Sequence, residues 1–255
     1  MNEQDNNNPE IKGKQLLVFL QVLNDVTDVI WDKKNYTAPR ERFYYSILMK
    51  LQFLIDAIQI QVYNLDHKPH YGLAAGLSLR TCMLDVINLY YVMDVHEDIA
   101  EATLRINTLM ADHLKYVYPS LKDDEKEEAR KNWPELFNEQ EKLIDFGRIT
   151  TRDFLKAITH FDTLKTEAYE AMHIYQIFSK YEHNGAFTFD ILHNSYSATS
   201  NNIIKFMIYS AIGICALACK IIASHWVDDL SPIAVKLNNS IKDLLSFDRV
   251  SRSDN

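Results

Sequence analysis

The stretch Gly72 to Tyr91, GLAAGLSLRTCMLDVINLYY, decides how this chain folds. Its apolar residues fall on two adjoining helical stripes: Leu73, Leu77, Leu84, Ile87 and Tyr91 on one, and Leu79, Met83, Val86, Tyr90 and Met93 on the other. Between them only Ser78, Thr81, Asp85 and Asn88 leave a polar strip. A helix apolar over most of its circumference must be covered on most sides, so this segment is expected to be the central element of an all-α bundle. Gly72 and Gly76, four apart, suit close packing against a neighbouring helix.

Outward from this segment the helical period continues. Leu16, Leu20, Leu23, Val26 and Ile30 mark a first helix from about Lys14 to Trp31. Pro39 suits a helix start, and Phe43, Ile47, Leu51, Leu54, Ile58 and Val62 follow on one face. The central helix then runs from about Tyr71 to Met93, a fourth from about His96 to Val117, and an acidic run from Asp123 to Glu128 opens an exposed fifth. Asp145 to Thr151 reads as a loop or a short helix pair. A helix is expected from about Asp162 to Glu182, capped by Asn184 and Gly185, and a last one from Ser231 and Pro232 to Leu245. With only 6 Gly and 6 Pro among 255 residues, strand and turn punctuation is sparse. The expected fold is a bundle of roughly eight or nine helices in one domain, residues 10–247, between disordered ends at 1–9 and 248–255.

Charge and cysteine usage narrow the function. A formal charge of -8 disfavours an extended nucleic-acid surface, although Lys33, Lys34, Arg40 and Arg42 form a local basic spot. Three cysteines provide no disulfide framework and read as reduced thiols, with Cys215 and Cys219 as small core residues. With no basic, apolar leader at Met1 to Glu10, the expected location is the cytoplasm. The most apolar segment, Ile203 to Ala223, holds about 14 uninterrupted residues between Lys205 and Lys220, fewer than a membrane span needs. A buried helix is favoured there over membrane association.

Arg80 is the most informative polar residue, because it interrupts the stripe of Leu73, Leu77 and Leu84 where an apolar side chain belongs. A guanidinium drawn inward requires a carboxylate or several carbonyl oxygens. Glu182, which extends the face of Tyr175 and Phe178, is the first candidate partner and Asp85 the second. The run Ser179 to Gly185, SKYEHNG, adds His183 as a group that titrates near neutrality, with Tyr181 and Asn184 as further ligand-binding candidates beside Asp85. A histidine there also serves as a helix-end cap. Glu170-x-x-His173 and Asp190-x-x-His193 have the spacing of bundle metal ligands, but chance supplies about one such pair in a chain with 35 acidic residues and 9 histidines. No metal and no cofactor is expected. Gly-rich phosphate loops, G-x-S-x-G and H-E-x-x-H are absent from the sequence.

Gly72 to Tyr91 and Ser179 to Gly185 together resemble an uncharacterised bacterial all-helical family with HEPN-like features (higher eukaryotes and prokaryotes nucleotide-binding). The first patch is similar to that group's helix with an inward Arg followed by an acidic residue, the second to its Ser-x-Tyr-x-His helix end. The resemblance implies that the His of the ribonucleolytic members carries over as His183. The Arg that should precede it does not, since Gln176, Ile177 and Phe178 occupy those positions. It therefore implies a non-catalytic relative acting through a protein partner, its own second copy or a small ligand. An RNA- or nucleotide-processing enzyme, with His183 as acid-base group and Arg80 as charge stabiliser, is the alternative, and a metal-binding bundle a third.

Overall fold

The structure is a computed structural model and describes residues 9–33, 38–65, 70–147, 150–180, 198–228 and 230–245. Among these residues there are nine α-helices and no strand: α1 (Pro9–Lys33), α2 (Pro39–Tyr63), α3 (His70–Met93), α4 (Ile99–Val117), α5 (Asp123–Asn132), α6 (Thr151–Ala157), α7 (Asp162–Ser179), α8 (Ala198–Ala223) and α9 (Pro232–Leu245). The all-α bundle expected from the period of the apolar residues is the one observed.

Helix α3 lies at its centre and packs on α2, α4, α6, α7 and α8. Cys82, Met83, Val86, Ile87, Leu89, Tyr90 and Val92 have no solvent exposure, so both stripes and part of the polar strip are covered. The Arg80 stripe is the shallower one, with Leu73, Leu77 and Leu84 only half-buried. Gly72 shows why a small residue stands near the start of α3, since a Cβ there would sit 2.8 Å from Cγ2 of Ile204 on α8. Helices α1 and α9 pack on each other at the far side, α1 against α2 and α9 against α8.

Several boundaries differ from the sequence reading, for tertiary reasons. Helix α1 begins at Pro9 rather than near Lys14, so residue 9 does not belong to a disordered end. Lys12, 3% exposed, donates from Nζ to the Leu244 carbonyl at 3.2 Å. That places a cation at the C-terminal end of α9 and draws the start of α1 into the bundle. Helix α4 starts at Ile99 rather than His96, because the Asp98 side chain accepts the N–H groups of Ala100 and Glu101 and caps the helix there. Helix α8 starts at Ala198, ahead of its apolar run. The stretch near Thr151 resolves into the single short helix α6, opened by reciprocal Thr150 and Asp153 hydrogen bonds. The cap expected at Asn184 and Gly185 and the tail from 248 onward lie outside the described residues.

One buried charge fastens these layers. Asp94, just past α3, is 1% exposed. Its two oxygens accept the N–H groups of Thr159, His160 and Phe161 at 3.0, 2.8 and 3.2 Å and the His160 ring at 2.9 Å. Arg105 Nη1 stands 3.8 Å away and donates to the Tyr91 carbonyl at 2.7 Å. Burial alone pushes the Asp94 carboxyl up, but the His160 bond and the three backbone bonds outweigh it and hold it below the ordinary value. One carboxylate thus ties the α6–α7 turn to the end of α3.

Two consequences are testable. Asp94→Asn keeps the volume but sacrifices acceptor capacity, and should cost about 2 kcal/mol in urea unfolding at pH 7. A depressed folded pKa contributes stability above the unfolded value, and that stability is lost as pH falls through the folded one, so the deficit should shrink progressively below about pH 4. Gly72→Val should lower stability by about 1–3 kcal/mol, because the added methyls meet Ile204 of the neighbouring helix.

Candidate functional site

The structure disperses part of the expected polar constellation. Arg80 is half-buried, as expected, and its guanidinium carbon lies 5.8 Å from the ring centroid of Tyr175 on α7. Glu182, its expected partner, lies outside the described residues, as do Tyr181, His183, Asn184, Asp190 and His193. Asp85 does not meet Arg80: it lies too far round α3 and accepts instead from Lys50 Nζ of α2 at 2.9 Å. Its Oδ2 is buried without a hydrogen-bond partner. Burial pushes this carboxyl up, against the pull of Lys50. Asp85 is thus engaged by a half-exposed lysine inside the α2–α3 contact, a structural position.

Cys82, Cys215 and Cys219 are all buried and unoxidised where α3 meets α8. A hydrogen bond with Cys82, together with burial, raises the Cys215 thiol well above its ordinary value, and burial raises Cys219. Thiols held protonated in this way are poor nucleophiles, in keeping with a role as small core residues.

Glu170 and His173 do share a face, but among the described residues no group of three His, Cys, Asp or Glu side chains could hold a metal ion. What they line is a groove. Along the seam of α7 and α8 runs a cavity of about 850 Å³, closed at one end by Leu245 of α9. Its α7 wall carries Thr166, Glu167, Tyr169, Glu170, His173, Ile174 and Ile177. The α8 wall carries Ile203, Phe206, Met207, Ser210, Gly213, Ile214 and Leu217. Ile174 and Met207 form a buried floor, whereas Tyr169, Ile203 and Phe206 are 50%, 57% and 48% exposed and stand at the lip. Gly213 lets Leu245 of α9 come this close to α8, since a Cβ there would sit 2.8 Å from Cδ2 of Leu245.

The charge of the groove is one-sided: its described lining has two glutamates and a histidine but no Lys or Arg. Glu167 is fixed from below. The hydroxyl of Tyr90, fully buried on α3, donates to Glu167 Oε2 at 2.5 Å. Burial and the adjacent Glu167 charge raise the Tyr90 hydroxyl far above its ordinary range, so it remains a donor at any physiological pH. The groove is not among the features expected from the sequence, although two signals there point to it. Glu167, Glu170 and His173 recur every third position on α7, and Tyr90 in a buried stripe demands a polar partner.

Substitutions separate the two buried hydroxyl and carboxyl groups of α3. Tyr90→Phe should cost about 1 kcal/mol and release the Glu167 side chain. Asp85→Asn should be as stable as wild type or more so at pH 7. A carboxyl raised by burial contributes stability only below its unfolded pKa and loses it as pH rises through the folded one. The advantage of the variant should therefore vanish as pH falls towards 4, as followed by urea unfolding across that range.

Comparisons of the chain with protein-family models, with curated proteins and with solved structures find no match, so the functional reading rests on the geometry of the molecule.

Proposed function

We propose that this protein is a non-catalytic interaction protein that takes a basic amphipathic helix of a partner into the α7/α8 groove. The observation that supports this most strongly is the groove itself, with its apolar floor, exposed aromatic lip and a described lining that carries Glu167 and Glu170 but no Lys or Arg. Helix-in-groove recognition needs an apolar trough several turns long with a matching charge at its rim. The α7 wall from Thr166 to Ile177 is about 16 Å long and the α8 wall from Ile203 to Leu217 about 21 Å, at 1.5 Å per residue. That length accommodates three or four turns of a helix, whose apolar side chains at i, i+3 or i+4 and i+7 would fill the trough.

Charge decides the sign of the partner. Glu167 and Glu170 lie on the groove of a chain with formal charge -8, so a cationic polar face gains in encounter rate and in orientation, whereas an acidic one is repelled. The exposed rings of Tyr169 and Phe206 supply the apolar anchors that dominate such contacts. This reading keeps the non-catalytic role that the HEPN-like resemblance implies, and it supposes a cytoplasmic setting for the partner.

A fluorescent model helix of leucines and lysines, titrated into the full chain, tests the proposal. Binding should weaken about tenfold for Phe206→Ala and for Glu170→Lys, each corresponding to about 1.4 kcal/mol. The same helix with glutamates for lysines should bind far more weakly. Equal binding of the acidic helix, or indifference to both substitutions, would exclude the groove as the docking surface.

A further inference from the structure

The two carboxylates of the groove are not equivalent, and if a basic helix docks there, as proposed above, the difference selects which cation lies where. Glu167 and Glu170 stand three positions apart on α7, about 4.5 Å along its axis and on one face. Glu167 is half-buried, and its Oε2 is turned to the floor, where it accepts from the Tyr90 hydroxyl at 2.5 Å. Tyr90 has no solvent exposure, so this oxygen faces the core rather than the trough. The other oxygen, Oε1, has no hydrogen-bond partner among the described residues and is not sealed from solvent. Glu170 is exposed, and neither of its oxygens bonds to a described residue.

The shapes of the two basic side chains turn this difference into a preference. A guanidinium binds a carboxylate best as a fork, with two parallel N–H groups on both oxygens, whereas an ammonium is a compact point charge that needs one acceptor. Glu170 can present both oxygens edge-on and so suits Arg. Glu167 presents Oε1 alone, and the Tyr90 bond removes the freedom to turn Oε2 outward, so it suits Lys. His173, next on the same face, offers a cation no counter-charge. A third cation therefore gains nothing, and the pair of glutamates sets the register.

The position of the pair also sets direction. Both carboxylates lie in the half of the α7 wall that begins at Thr166, whereas Ile174 and Ile177 in the other half carry no charge. A helix is positive at its N-terminus, so a docked helix points that end towards Glu167 and runs parallel to α7. From this arrangement we infer that the groove selects a helix carrying Lys-x-x-Arg, with the Lys on Glu167 and the Arg on Glu170. Tyr90 is the positioning residue that makes the two glutamates different.

Two model helices of identical composition test this, differing only in whether Lys-x-x-Arg or Arg-x-x-Lys occupies the polar positions beside a common leucine face. Titrated into the full chain and followed by fluorescence anisotropy, the Lys-x-x-Arg helix should bind about fivefold more tightly. Tyr90→Phe frees Glu167 to present both oxygens, so the Arg-x-x-Lys helix should gain affinity and come within about twofold of the other. A gain of that kind is not produced by loosening of the fold. Equal binding of the two helices to the wild type would overturn the inference, as would a preference that survives Tyr90→Phe or a loss of affinity by both helices alike in that variant. If Phe206→Ala still weakens both helices in such a case, the groove stands as the docking surface and only its selectivity falls. Indifference of both helices to Phe206→Ala would remove the docking surface itself, and the selectivity with it.

Discussion

An α-helix that is apolar nearly all the way round has to be covered nearly all the way round, and that constraint on α3 organises this protein. Five helices pack on it. Two of them, α7 and α8, reach it from chain segments on either side of residues 181–197, and each buries residues such as Phe178 and Ile208 in the common core. The side chains left along their common seam, among them Tyr169 and Phe206, have no remaining claim on the core. The groove is what remains after α3 has been covered. Tyr90 connects the two, with its ring in the core and its hydroxyl on Glu167 at the groove.

Two carboxylates on or beside α3 show how little burial alone says about a charge. Asp94 and Asp85 are both buried. Around Asp94, three backbone N–H groups and an imidazole replace the lost water, and the carboxyl titrates low. Around Asp85 a half-exposed lysine is the counter-charge, one oxygen is unmet, and the carboxyl titrates high. The first is therefore a fastener that sets the position of α7 and with it one wall of the groove. The second is a carboxyl held within the helix contact against the cost of its desolvation, with Lys50 as its counter-charge.

The central place of α3 was legible in the sequence, because two adjoining apolar stripes on one helix require neighbours on most of its sides. So were the core thiols and the partial burial of Arg80. The role of Asp94 was not, since its partners Thr159, His160 and Phe161 lie some 65 residues away and donate through backbone groups that every residue type except proline possesses. Asp85 was legible as an acid on a mostly apolar helix, but its partner is Lys50 rather than Arg80. Lys50 sits on α2 without any pattern of its own to mark it as inward-reaching. The groove needs the relative placement of two helices, which periodicity within each cannot supply.

The claim that α3 and its Asp94 fastener hold the wall of the groove in place is tested most directly by native-state amide hydrogen exchange. Thr159, His160 and Phe161 lie in a non-helical turn, where amides ordinarily exchange fast. If all three donate to Asp94, they should exchange about as slowly as Leu89 to Val92 within α3, through the same cooperative opening. Exchange of these three amides at the rate of an open loop, with Leu89 to Val92 still protected, would contradict the account.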